Sequence, residues 1–143
     1  MFINLRDRPR RGIERERKLE RPIEAFSRVL WPYQEYQLVL YVCLMAALDY
    51  ASTFAFLELS SNSHVSEVGL LAKWALQTGG FPTLLLVDLA YVGGLICLAI
   101  GVRHLYSKLG FSGFGRAAFV FLLIPYFIFT LAAIVNNIII AII

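Results

Sequence analysis

Two carboxylates stand inside stretches that are otherwise almost entirely hydrocarbon. Asp49 lies in an apolar run over 36–59, and Asp88 in a second run over 81–102. An ionisable group in lipid costs about 3 kcal/mol at a helix centre on insertion scales, so it needs a reason to be there. A third run, 116–143, has no acid but carries the adjacent amides Asn136 and Asn137. Ser52 and Thr53 follow Asp49 at i+3 and i+4 and share its helical face. At 1.5 Å per residue, Asp49 lies ~14 Å, Asp88 ~9 Å and the two asparagines ~10 Å from one common end of the spans. The spacing thus predicts one intramembrane polar layer of Asp49, Ser52, Thr53, Asp88, Asn136 and Asn137, with Glu58 and His64 near its mouth.

Three chemistries fit such a layer. A protonated aspartate can bond to an amide or hydroxyl of another helix, a clamp worth ~1 kcal/mol per bond in membranes. Two carboxylates at one depth can share a proton or hold a cation. An acid can also pair with a base on another chain. Transport is disfavoured because the other half of each span has no acid to continue a relay. Three helices are also too few to enclose a path without self-association.

Catalytic and metal chemistry find little support. No Gly-x-Gly-Asp precedes either aspartate, no Ser/His pair shares a span, and His64 and His104 fall at opposite ends. Cys43 and Cys97 belong to no ligand spacing and read as small apolar filler. The segment 110–115 (GFSGFG) lacks the preceding strand and following Lys-Ser/Thr of a phosphate loop, and reads as a flexible turn. No enzyme activity, cofactor or metal is expected.

The elements that must carry the layer follow from composition. The chain has 143 residues, 59% hydrophobic and 16% charged, too apolar for a soluble domain of this size. Each run has twenty or more residues, enough for a hydrocarbon layer of ~30 Å. Three strands could not close a barrel, so helices are required. The predicted fold class is an all-α membrane protein. It has three transmembrane helices, an interfacial N-terminal helix and a short amphipathic helix between spans one and two. The predicted organisation is an arm over 1–35 and a transmembrane domain over 36–143.

Within the arm, residues 1–12 are expected to lack intrinsic structure. Residues 13–21 are helix formers, and Pro22 is expected to interrupt that helix or begin the next. Ile23, Phe26 and Leu30 then recur at helical spacing, apolar side toward the membrane, as far as Trp31-Pro32. Trp31, Tyr33, Tyr36 and Tyr41 sit where an aromatic belt belongs. Between spans one and two, Val65, Val68, Ala72, Ala75 and Leu76 form a stripe over 65–78, capped by Ser63 and ended by Gly79-Gly80.

Charge gives a direction. Residues 1–36 hold nine of the thirteen basic residues and six of the ten acids, and so the whole net charge of +3. Arg103, Lys108 and Arg116 flank the second loop, whereas the first loop has only Lys73. The positive-inside rule then predicts a multi-pass plasma-membrane protein with a cytoplasmic N-terminus and an external C-terminus. No signal peptide is recognisable, and the first span is expected to direct insertion. Arg6, Arg8, Arg10, Arg11, Arg15, Arg17, Lys18, Arg21 and Arg28 are the candidates for lipid or partner contact. Interleaved acids such as Glu14, Glu16 and Glu20 argue against nucleic acid.

Small residues mark where helices can approach: Ala47, Ala51 and Ala55 in span one, and Ala90, Gly93, Gly94, Cys97 and Gly101 in span two. Two stripes on span two predict more than one helix neighbour, from a tight bundle or from a partner. Pro125 is expected to kink span three.

The stretch 48–88 resembles a family of small prokaryotic membrane proteins known only as a domain of unknown function. Asp49-Tyr-Ala-Ser-Thr53 matches its Asp-x-x-x-Thr, and Gly79-Gly80 fits its glycine turn. Glu67 stands for its loop Glu, but Val68-Gly69 replace the Asn-Pro that should follow. The resemblance covers under a third of the chain and implies no activity, only a prokaryotic plasma membrane.

The function expected from these features is an accessory or scaffolding subunit of a larger membrane complex, without catalysis of its own. Its partners would be the lipid bilayer and other membrane subunits or copies of itself. The alternative is a small oligomeric transporter, or an ion- or proton-binding protein, built on Asp49 and Asp88. A weaker third reading is a lipid-binding regulator acting through the basic arm.

Overall fold

The computed structural model describes residues 8–59 and 70–142, with side chains described over 18–55 and 72–139. Helices are the only regular secondary structure among the described residues: α1 Arg8–Leu30, α2 Glu35–Leu59, α3 Leu70–Lys108 and α4 Ser112–Ile142. Segments of α2, α3 and α4 are long and apolar enough to cross a membrane. This is a multi-pass membrane protein by the length and composition of those helices.

α4 is the centre of the bundle and packs against α1, α2 and α3, whereas α2 and α3 meet only narrowly. Among its buried positions, Ala117, Val120, Leu123, Thr130 and Ile134 recur every three or four residues or at multiples of that interval, a stripe of helical period. Trp31, Leu38 and Val42 press on α4 from one side, and Val92 and Ala99 from the other, with Phe119, Val120 and Leu123 between them.

Three expectations change. α1 begins at Arg8, inside the stretch expected to be unstructured, and runs through Pro22. Pro22 and Lys18 are both exposed, so the carbonyl that loses its N–H partner faces outward and can be hydrated. The amphipathic piece over 65–78 is described from Leu70 onward and leads directly into span two. The break is at Gly79 (φ −158°, ψ 18°) and Gly80 (φ 68°, ψ −156°), the latter a conformation open essentially to glycine alone. In that piece Ala75 is buried, and Lys73 and Gln77 are exposed; Ser63, Val65 and Val68 lie outside the described residues.

The third change concerns 110–115. Only Gly110 (φ 81°) makes a turn, and α4 starts at Ser112. Gly113 and Gly115 are close-approach residues in its first turn. A Cβ on Gly113 would stand 2.7 Å from Glu20 Cγ, and one on Gly115 2.9 Å from the Arg103 carbonyl oxygen. A side chain on α1 and the backbone of α3 thus require glycine where the sequence read as a flexible loop. α4 then continues unbroken through Pro125.

Candidate functional site

The polar layer is carried by the inward stripes of the helices. Asp49 lies four residues before buried Thr53 and seven after buried Val42 on α2. Asp88 lies midway between buried Leu84 and buried Val92 on α3. Both aspartates are half-buried. Helical spacing alone therefore turns the two carboxylates toward the bundle rather than fully toward lipid.

The layer divides into two parts. In the first, Asn137 Nδ2 donates to Ser52 Oγ at 3.1 Å and to Thr53 Oγ1 at 3.3 Å, joining α4 to α2. Ser52 in turn donates to the Asp49 carbonyl at 2.9 Å. This clamp is built from amide and hydroxyls, and no proton has to be placed on a carboxylate to form it. Asn136 is exposed and turned away from it.

The second part lies between α2 and α3. A groove of about 210 Å³ is lined by Cys43, Ala46, Ala47, Tyr50, Leu85 and Asp88, with Leu89 and Val92 beyond. Asp88 is its one charged lining residue. Tyr50 Oη donates to the Phe81 carbonyl at 3.3 Å, tying α2 to α3 just past the Gly79-Gly80 break. Tyr126 of α4 stands within electrostatic reach of both Asp49 and Asp88, one helical turn from buried Thr130. Its ring lies 5.9 Å from that of Tyr91.

Tyr126, Thr130 and Tyr50 were not singled out from sequence. In a span, a tyrosine reads as an aromatic near a headgroup. The available signal was Tyr126 and Thr130 at i,i+4 in the middle of an otherwise apolar helix.

The small residues face away from the described chain. Ala47, Ala51, Ala55, Ala90, Gly93, Gly94 and Gly101 are all exposed. A Cβ on any of the three glycines would meet nothing within 4 Å. Cys43 and Cys97 are exposed as well. Among the described residues no group of three or more His, Cys, Asp or Glu could hold a metal ion.

A separate charged cluster closes the end of the bundle nearest α1. Glu35, at the start of α2, accepts from Arg103 Nε of α3 at 3.0 and 3.1 Å and lies 3.7 Å from Arg116 Nη1 of α4. Arg116 Nη2 donates to the Trp31 and Tyr33 carbonyls at 2.9 and 3.0 Å. Arg103 Nη1 also donates to Ser107. Glu20 of α1 accepts the Gly113 N–H at 2.6 Å, so a carboxylate caps the positive end of α4. Of the basic residues named for lipid or partner contact, Lys18, Arg21 and Arg28 are described and exposed. Arg6 and the side chains of Arg8, Arg10, Arg11, Arg15 and Arg17 lie outside the described residues, as do the side chain of Glu58 and all of His64 and Glu67.

No protein-family model, curated protein or solved structure matches the chain.

Proposed function

We propose that the protein is a non-catalytic accessory or scaffolding subunit of a larger integral membrane complex, seated in the plasma membrane with α1 on the cytoplasmic side. The observation that carries this reading is the outward placement of the small residues. Gly93, Gly94 and Gly101 leave open space where a neighbouring helix could approach. In the membrane, close backbone packing is a main source of helix association, because lipid tails are as apolar as leucine. The α2–α3 groove adds an Ala46–Ala47 floor and one acid, Asp88. A partner helix bringing a basic or amide side chain would satisfy that acid.

Cys43 provides the test, since it lines the groove and is exposed. A thiol-reactive photocrosslinker on Cys43, in a Cys97→Ser background and native membranes, is expected to yield one discrete heteromeric adduct. A chain that forms no adduct and purifies as a stable monomer in mild detergent overturns the reading.

The second reading, an oligomeric ion or proton carrier, draws on the half-buried carboxylates of Asp49 on α2 and Asp88 on α3, the latter lining the groove between them. It requires flux in proteoliposomes that Asp49→Asn or Asp88→Asn abolishes; flux equal to empty liposomes removes it.

A further inference from the structure

Beside the Glu35 cluster lies a cavity of about 410 Å³, lined by Glu24, Arg28, Glu35, Arg103, Ser112 and Arg116, with Gln34 and Tyr36 at its edge. All four helices contribute: Arg28 comes from α1, Glu35 from α2, Arg103 from α3 and Arg116 from α4. Three guanidinium groups face two carboxylates, so the lining carries one uncompensated positive charge. Arg116 is the most loosely paired of the three. Glu35 is engaged through both oxygens by Arg103 Nε, and stands 3.7 Å from Arg116 Nη1, beyond hydrogen-bond distance. Arg116 Nε is buried and has no hydrogen-bond partner among the described residues, and the side chain as a whole is only 12% exposed. Glu24 is taken by Arg28 at 2.8 Å and does not supply the missing charge. A largely buried guanidinium whose carboxylate stands beyond hydrogen-bond distance is costly, and a phosphate is a ligand whose oxygens match guanidinium donors.

The surroundings say where that phosphate comes from. Trp31, Tyr33, Tyr36 and Tyr41 ring the same end of the bundle, and Trp31 meets Tyr33 and Tyr41 edge-on at 5.5 and 5.7 Å. Such aromatics mark the headgroup level of a bilayer. Phe26, Val29 and Leu30 are exposed apolar residues on the face of α1 opposite Glu24 and Arg28, a face suited to rest on acyl chains.

We infer that this cavity is a binding site for a phosphate group, supplied by the headgroup of an anionic phospholipid in the leaflet on the α1 side. Arg28, Arg103 and Arg116 line it and supply the guanidinium donors, and Ser112 offers a hydroxyl. The site is independent of the α2–α3 groove and of the subunit reading.

The test uses the full chain in an uncharged mild detergent, with short-chain phosphatidylglycerol, short-chain phosphatidylcholine or inorganic phosphate as the probe. Native mass spectrometry counts bound molecules, and the unfolding temperature reports their effect. One phosphatidylglycerol is expected to bind and raise the unfolding temperature, with phosphatidylcholine at least tenfold weaker. Arg28→Gln is expected to weaken binding about tenfold, the loss of one charge-assisted contact. Arg28 is 63% exposed and paired only within its own helix, so this variant keeps the fold. Arg116→Lys keeps the charge but loses the fork, and is expected to weaken binding further. A shift with inorganic phosphate that phosphatidylglycerol does not exceed upholds the phosphate site and assigns it a soluble ligand. Equal binding of the two lipids with no effect of phosphate, or binding unchanged in both variants, overturns it.

Discussion

The two ends of the bundle solve the same problem with different chemistry. At the α1 end, α2, α3 and α4 are tied by ion pairs centred on Glu35, Arg103 and Arg116, and guanidinium bonds to the Trp31 and Tyr33 carbonyls hold the link that joins α1 to α2. Toward the other end, α4 is tied to α2 by one neutral amide on two hydroxyls. The difference follows from the solvent. Near headgroups a charge can keep part of its hydration, and the Glu35 and Arg103 side chains are 26% and 28% exposed. In hydrocarbon a charge has no such recourse, and amide–hydroxyl bonds are the affordable link. The charged end should therefore hold the larger share of stability and be more sensitive to truncation of one partner.

The strongest test of that asymmetry is Glu35→Gln. It removes the acid between two partly buried arginines and leaves both uncompensated, which should cost about 3 kcal/mol. Unfolding in mixed micelles measures it. A loss below about 1 kcal/mol would mean that water screens the cluster as it screens surface pairs, and the contrast between the ends would collapse.

Next in size is Gly115→Ala. The added Cβ would stand 2.9 Å from a backbone carbonyl oxygen of α3, which cannot swing aside. Overpacking of this kind costs about 1–3 kcal/mol. Gly113→Ala instead presses on the Glu20 side chain, whose end can move, at the expense of the Glu20 bond to the Gly113 N–H. It should cost less than Gly115→Ala and should loosen α1 selectively, seen as faster proteolysis of the arm. Equal effects at the two glycines would contradict the distinction between a fixed and a movable neighbour.

These glycines also show where reading a sequence stops. The three spans were legible because twenty apolar residues have few alternatives in water or lipid. The shared helical face of Asp49 and Thr53 was legible because it is local. Gly113 and Gly115 were not, because what crowds them comes from α1 and α3, and no local pattern marks a partner that distant. Glu35 disappeared into the tally of the arm for the same reason: its two arginines lie far along the chain. In the polar layer, depth along each helix placed Asn137 correctly beside Ser52 and Thr53. Depth says nothing of rotation, so neighbouring Asn136 was grouped with it although it faces outward.

That rotation makes a smaller prediction for the neutral end. Asn137→Ala should cost about 1 kcal/mol, the size of an interhelical bond in lipid, while Asn136→Ala should cost close to nothing. Reversed effects would mean that α4 is rotated relative to the arrangement described. Both variants should leave the Glu35 cluster intact, and adding either to Glu35→Gln should give additive losses, since the sites share no partner.

The smallest effect on the isolated chain is expected at Gly93 and Gly101, and there the sign carries the information. A Cβ at either position meets nothing within 4 Å. With no contact to lose, Gly→Ala in a helix should be neutral or stabilising by up to about 1 kcal/mol, because alanine gives up less backbone entropy. If another helix packs on this face in the membrane, the same methyl groups hold it away. Gly93→Ala with Gly101→Ala should then raise the unfolding temperature of the purified chain and lower its recovery with a partner or a second copy. Two opposite signs from one pair of methyl groups separate a face kept small for a neighbour from one that is merely small.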